Sequence, residues 1–411
     1  MRKGQFEARL LLLVSFGLVA FGLVMVYSAT SASAALQNGD PAYYVKRQGI
    51  YAALGLALMF LTARFRFRAL KQLAPALVAM SLFLLAAVLV IGEAVNGAKR
   101  WLTFGPAVFQ PSEFAKLALA VWAASYLSGR RPPLTLKELW RPVGALTCIY
   151  AGLLLLEPDL GTAITIFLML AGMLLVAGTP VRPLAGGLSI ATTLGVAAIW
   201  FEPYRRARIF SFINPWHDAQ GAGFQIVQAM IGLGSGGPFG VGLGQSVQKA
   251  DYLPEAHTDM IFAIIGEELG LVGTTALIAA YATFAYVGLR IALRCRDPFG
   301  KSLASGLTIL VCGQAAVNLA AVMGLAPLTG IPLPFVSYGG SSLIVALTAV
   351  GILLNIAVGH GGEARAGMRD RSGRDGRARA AGARRRRSAA GSRRASDVRR
   401  VAGSRRSAAR S

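Results

Sequence analysis

The 411-residue chain is 55% hydrophobic and carries a formal charge of +23, with a mean hydropathy of +0.54. Apolar runs as long as these exclude a soluble domain built on one core and predict an all-α polytopic membrane protein. The charge is uneven: residues 359–411 hold 17 Arg against four acids and almost no large apolar side chain, which predicts a disordered cytoplasmic tail after a membrane domain over 1–358.

Ten apolar stretches, each suited to the ~30 Å hydrocarbon core of a bilayer, are expected at 10–29, 48–63, 73–92, 113–127, 143–156, 160–178, 182–201, 260–289, 303–325 and 342–358. The first has a basic start and Ala32-Ser33-Ala34 beyond it. Its apolar run of ~20 residues exceeds the 7–15 of a signal peptide, so a retained anchor is expected. The eighth is long for one crossing and contains Glu267, Glu268 and Gly270, which predicts a tilted or broken helix or one partly immersed in protein. Arg2, Lys3 and Arg9, then Arg64, Arg66, Arg68 and Lys71, then Arg130, Arg131, Lys137 and Arg141, then Arg290, Arg294, Arg296 and Lys301 all fall on one face with the tail. By the positive-inside rule that face is cytoplasmic, and both termini are inside. The Arg-rich tail suits anionic lipid headgroups or an acidic partner better than nucleic acid. Cys148, Cys295 and Cys312 are scattered without CxxC spacing, so neither a disulfide nor a metal framework is expected.

The outer face then carries the bulk: loops 30–47, 93–112, 202–259 and 326–341. Within the long loop between the seventh and eighth spans, Phe224, Val227 and Ile231 recur at helical spacing, which predicts a short helix in the interface.

Five polar constellations interrupt the apolar pattern, all on the outer side. The first runs from Gly97-Ala98-Lys99-Arg100-Trp101 to Gln110-Pro111-Ser112-Glu113-Phe114-Ala115-Lys116. Glu113 and Lys116 share a helix face about one turn inside the fourth span; an ion pair, an outward-snorkelling Lys and a functional pair all fit. Lys99 and Arg100 beside Trp101 suit a phosphate-bearing headgroup or an ordinary aromatic belt. Next comes Glu157-Pro158-Asp159 in a hairpin, where Asp159 reads as a helix cap. The third is Tyr252-Leu253-Pro254-Glu255-Ala256-His257-Thr258-Asp259. The helix dipole should depress the Asp259 pKa and burial should raise it, and the balance decides whether it can act as a general base. Gly232 to Gly244 forms a glycine run whose G-x-G-x-x-G match is rejected as a dinucleotide site because no strand precedes it. Close backbone approach or a cradle of amides for a pyrophosphate remain. Last, Pro327 to Ser342 places three prolines and paired glycines with Ser337, Ser341 and Ser342 as donors. No Ser-x-x-Lys or G-x-S-x-G pattern supports a serine nucleophile.

In this order, the five constellations resemble the SEDS family (FtsW/RodA/SpoVE) of peptidoglycan polymerases over essentially all of residues 10–358. Lys99, and Ser246-Val247-Gln248-Lys249 ahead of Tyr252, look like the cell-division branch more than the elongation branch. Met260 stands where the family usually has Phe, and Glu157 where Gln is common. The resemblance implies polymerisation of lipid II on the outer face of the bacterial cytoplasmic membrane, with inversion to a β-1,4 bond and undecaprenyl pyrophosphate leaving. Asp259 matches the family's essential acid and is the expected general base. Glu113 and Lys116 match polar residues of the family's central cavity. Trp101, Arg208 and Lys249 are expected near the pyrophosphate or headgroup, and Lys99, Arg100, Asp159, Glu255, His257, Ser337 and Ser341 complete the expected substrate-binding set. Chemistry and resemblance together suggest a divalent cation (Mg2+ or Mn2+) on the leaving pyrophosphate, without any metal-site signature in the sequence. The implied partners are a class B penicillin-binding transpeptidase and other divisome membrane proteins, at the division septum. A lipid II flippase is the rival reading, and a division scaffold is a third. A transporter should show polar residues on both faces, whereas here they cluster on one.

Overall fold

The computed structural model describes residues 4–36, 40–95, 98–105, 107–201, 203–249 and 252–359. The stretch expected to form the Arg-rich tail lies outside the described residues from 360 onward, as does Gly97 of the first constellation.

Among the described residues the fold is all-helical apart from one small sheet. The elements run α1 (Gln5–Leu36), α2 (Tyr43–Arg64), α3 (Phe67–Ile91), β1 (Glu93–Val95), β2 (Ala98–Phe104), β3 (Ala107–Phe109), α4 (Pro111–Ser128), α5 (Leu136–Leu139), α6 (Ala145–Leu156), α7 (Leu160–Ala177), α8 (Val181–Trp200), α9 (Pro203–Ile213), α10 (Phe224–Ser235), α11 (Ile261–Arg294) and α12 (Pro298–Val322). Another helix, α13, follows at Gly340–Gly359. A π-turn at Trp140–Gly144 joins α5 to α6. Among the described residues, seven helical stretches are long and apolar enough to cross a membrane. The helices α2, α4 and α8 coincide with the second, fourth and seventh expected spans but carry more polar residues, among them Lys46, Arg47 and Gln48 in α2 and Ser112, Glu113 and Lys116 in α4. Those polar residues face protein where they can: Gln48, Glu113 and Lys116 are buried.

The loop expected at 93–112 contains regular structure. It holds the antiparallel sheet β1-β2-β3, with Leu102 opposite Phe109 and Thr103 opposite Val108. The long loop 202–259 is likewise filled, by α9, a 3-10 turn at Pro215–Asp218, and α10. The expected helix around Phe224 is therefore present. It packs against α11 through buried Ile226, Val227 and Ala229 rather than lying alone on the interface.

At the centre stands α12, against α4, α7 and α11. The eighth span is broken, at Gly270 (φ 64°, ψ −158°). A break at this depth frees backbone groups that lipid cannot satisfy. The glycine run satisfies them: Val241 N–H donates to Glu267 O (2.9 Å), Gly242 N–H to Glu268 O (3.1 Å), Leu271 N–H to Gly237 O (2.9 Å) and Val272 N–H to Pro238 O (3.1 Å). Close backbone approach, not a pyrophosphate cradle, is thus what the glycines supply. A Cβ on Gly240 (φ 81°) would lie 2.1 Å from Glu268 O, whereas one on Gly244 (φ 81°) would meet nothing within 4 Å. Gly244→Ala therefore feels only the backbone strain, about 1–3 kcal/mol, while Gly240→Ala also drives the hairpin off the break. Thermal unfolding in detergent should show the larger fall for Gly240→Ala; equal falls would mean that the hairpin does not need this approach.

Both acids beyond Asp259 on the eighth span face protein. Glu267 accepts from the Ser246 hydroxyl, from Val247 N–H (2.9 Å) and from Gln248 N–H (3.3 Å). Glu268 accepts from the Ser28 hydroxyl (2.7 Å) and from Lys249 Nζ (3.1 Å).

Candidate active site

Helix N-termini converge on one end of the bundle. The first turns of α2, α4, α7 and α13, together with Asp259 just before α11, border a groove of about 1070 Å³. Each terminus contributes residues the sequence put there for local reasons. Pro111 starts α4 without needing a backbone donor. Asp159 caps α7 by accepting from Thr162 N–H (3.0 Å) and its hydroxyl (2.8 Å), and it also accepts from Ser112 Oγ (3.2 Å). Capping and groove lining are therefore compatible roles for Asp159.

Asp259 is half-buried in the groove wall. Thr258 Oγ1 lies within hydrogen-bond reach of both Asp259 Oδ1 (3.2 Å) and Glu255 Oε2 (3.0 Å). Burial, then repulsion from Glu255, push the Asp259 carboxyl up to about 6, against the opposing pull of Arg208 and the hydrogen bond from Thr258. Of the two opposing effects expected from the sequence, burial wins. The group is still mostly ionised at pH 7 yet more basic than an ordinary aspartate, which suits a general base.

Two arginines expected near the substrate border the groove. Arg208 donates to Leu328 O (3.1 Å). Arg100 donates through Nε to Glu157 O (2.9 Å) and through its other nitrogen to Pro158 O. Glu157 itself is fully buried, and neither carboxyl oxygen has a hydrogen-bond partner among the described residues. Burial, reinforced by neighbouring Asp159, pushes it up to about 8 despite Arg100. It therefore holds a proton at neutral pH, which is how this site accommodates Glu.

The groove brings together Arg100, Trp101, Glu113, Asp159, Arg208, Glu255, Asp259 and Ser341 from the expected set. Five others lie outside its lining, each for a visible reason. Lys99 is exposed on β2. Lys116 is buried behind Glu113 (2.9 Å) and donates to Gln314 Oε1 (2.6 Å). Lys249 is sequestered with Glu268, the two side chains 5% and 0% exposed. His257 packs between Tyr44 (ring centroids 4.6 Å) and Tyr338 (5.5 Å); burial lowers its pKa, against an upward pull from Glu255. Ser337 is buried and accepts from Leu333 N–H (2.8 Å).

Sequence reasoning missed one whole wall. Tyr43, Tyr44, Arg47 and Tyr51 of α2 line the groove with Tyr338. They face the site because Gln48, the next residue, donates to Ser337 O (3.0 Å) and accepts from Gly339 N–H (3.4 Å). The paired tyrosines one turn before Arg47, at the outer end of a span, were the available signal.

Fold and site together define a multi-pass membrane protein with an acid-centred, arginine-bordered groove at one end of its helices. The family model for the cell cycle proteins of the FtsW/RodA/SpoVE group matches residues 8–360. The probable peptidoglycan glycosyltransferase FtsW of Geobacter sulfurreducens is 43% identical over 350 residues, 84% of this chain and 94% of that one. Its counterpart in Nitrosococcus halophilus is 42% identical over 358 residues, 84% and 91% of the two chains. Among solved structures, a chain of a peptidoglycan synthase complex, described as coordinating polymerization and crosslinking, superposes with a TM-score of 0.71 at 35% identity, covering 85% of this chain and 97% of that one. The rod shape determining protein RodA of Thermus thermophilus superposes with a TM-score of 0.62 at 33% identity, covering 84% and 95%. The chain belongs to the FtsW/RodA/SpoVE family.

Proposed function

We propose that the chain is a peptidoglycan glycosyltransferase that polymerises lipid II during septal wall synthesis, crossing the membrane ten times with both termini cytoplasmic. The observation that carries the reading is the groove: a carboxylate poised at about 6 sits where several helix N-termini converge with Arg100 and Arg208. Helix N-termini and guanidinium groups favour a phosphate-bearing substrate. In the proposed step Asp259 takes the proton from the acceptor's sugar 4-hydroxyl. That oxygen attacks the anomeric carbon of the lipid-linked donor from the face opposite the pyrophosphate. The C–O bond to the pyrophosphate breaks, inverting the centre and leaving the negative charge on the pyrophosphate. Arg208 and Arg100 border the space in which that charge develops.

A divalent cation fits this groove only as one shared with substrate. Among the described residues no three acids, histidines or cysteines converge on a metal position, so a bound Mg2+ would take most of its ligands from phosphate oxygens and water, with Glu255 as the side chain of this wall that would join them. Bound there, it would neutralise the leaving pyrophosphate. The identity of the relatives and of the synthase complex supports a class B transpeptidase as partner and the septum as the place of action.

Incubating the purified protein and its transpeptidase partner with lipid II should yield glycan strands. Movement of lipid II across liposomes without strands would instead favour the flippase. The acid limb of kcat/KM should fall near pH 6, because protonation removes the base. Arg208→Ala should move that limb to higher pH, since the guanidinium favours the Asp259 carboxylate. An unmoved limb would separate Arg208 from the base.

A further inference from the structure

Beneath the groove floor, α12 presents two carboxamides one turn apart, Gln314 and Asn318, 3% and 2% exposed. Gln314 Nε2 donates to Pro332 O (2.9 Å), while its Oε1 receives Lys116. Asn318 Nδ2 donates to two main-chain carbonyls, Asp259 O (2.8 Å) and Ile331 O (2.9 Å). Two carbonyls can be satisfied only by an amide NH2, so the chemistry itself orients this side chain. Asn318 Oδ1 is buried with no hydrogen-bond partner among the described residues. Leaving an acceptor orphaned costs stability, so a side chain chosen for packing alone would not keep it.

Asp259 and Ile331 both line the groove, whereas Asn318 does not. They come from separate segments: the loop entering α11 and the Pro-rich stretch before α13. Neither has a regular ladder to hold it at this point. Tyr338 N–H joins them directly at His257 O (2.9 Å), and at Asp259 itself Asn318 adds a rigid, helix-borne bond.

We propose that Asn318 is a positioning residue for the general base: its amide clamps the Asp259 main chain to the opposite groove wall and so sets where the Asp259 carboxylate meets the acceptor hydroxyl. This inference rests on Asp259 being the base. The clamp acts on the backbone, so it fixes geometry without contact with substrate. A freed Asp259 segment would also weaken the carboxylate's hydrogen bond to its own backbone, one of the contacts that lowers its pKa. Loss of the clamp should therefore raise the pKa as well as displace the group. A displacement of ~1 Å can cost on the order of 100-fold in rate.

The experiment compares wild type, Asn318→Ala, Asn318→Asp and Asp259→Asn, each purified with the transpeptidase partner and assayed on lipid II across pH. Asn318→Ala is expected to lower kcat by about 10–100-fold, to leave KM within about twofold, and to move the acid limb upward. Asn318→Asp, nearly the same shape, places oxygens against the two carbonyls and should be no better than Ala. Ser305→Ala serves as a control on the same helix, since its hydroxyl donates to Ser302 O within α12 and the change adds no charge, and its acid limb should stay in place. The proposal is overturned if Asn318→Ala retains wild-type kcat. It is equally overturned if kcat falls only in step with thermal stability while the acid limb does not move. Full polymerisation by Asp259→Asn would sink the base assignment itself, a result distinct from either outcome at Asn318.

Discussion

Asp259→Asn is expected to abolish glycan-strand synthesis, by about 100- to 10,000-fold, the range removed with a general base. The substitution keeps size and shape. The Thr258 contact at 3.2 Å can persist with an amide oxygen, and the bond from Asn318 reaches the main chain. Stability and partner binding should therefore remain near wild type, so the loss reads chemistry rather than folding. Glu255 is the rival acid within the same hydroxyl's reach. Its charge raises the Asp259 pKa, so Glu255→Gln should move the acid limb to lower pH and leave a weaker base with substantial activity. If Glu255→Gln were inactive and Asp259→Asn active, the roles would be exchanged. Equal activity of both variants would remove this pair from the mechanism.

The sequence made the membrane helices legible because apolar length is a one-dimensional property. The buried polar residues of α2 and α4, both expected as spans, are shielded by neighbours that only the fold supplies. The Asp259 loop and the Asp159 hairpin stood out because polar groups near lipid are costly and therefore sparse, whereas Arg208 was picked out by the family resemblance alone. Reach was what the sequence could not convey. Lys116 and Lys249 have the same charge as Arg100 and Arg208, yet each turns to a buried acid, Glu113 or Glu268. For Lys249 that acid lies in another element, and for Lys116 the direction also depends on Gln314, 198 residues away. Asn318 was hidden for the same reason: a single Asn inside an apolar span looks like packing until the two carbonyls it serves, 59 and 13 residues away, are placed. The sheet in loop 93–112 escaped notice because its strands are short and their register is set by pairing rather than by pattern.

Lys249→Met should destabilise the protein by about 3–5 kcal/mol, the cost of leaving one member of a buried ion pair behind. Glu268 is fully buried and bonded to Ser28 of α1, so the pair fastens the end of the glycine hairpin, the break in α11, and α1 at one point. Its depth follows from α1: Glu7 pairs with Arg290 and Arg294 at the other end of the bundle, and the helix from Glu7 to Ser28 rises about 32 Å at 1.5 Å per residue. That is close to the hydrocarbon thickness, so the pair lies near the opposite boundary, where water reaches poorly and an uncompensated buried charge distorts the hairpin. Adding Glu268→Gln to Lys249→Met removes the orphaned charge while keeping a group for the Ser28 hydroxyl, and it should restore much of the lost stability. A substrate-binding Lys249, as the sequence suggested, would behave otherwise: wild-type thermal unfolding, a raised KM for lipid II, and no rescue by Glu268→Gln. Thermal midpoints and KM for the two variants together decide between a lysine that holds the fold and one that holds the substrate, and the buried geometry predicts the first.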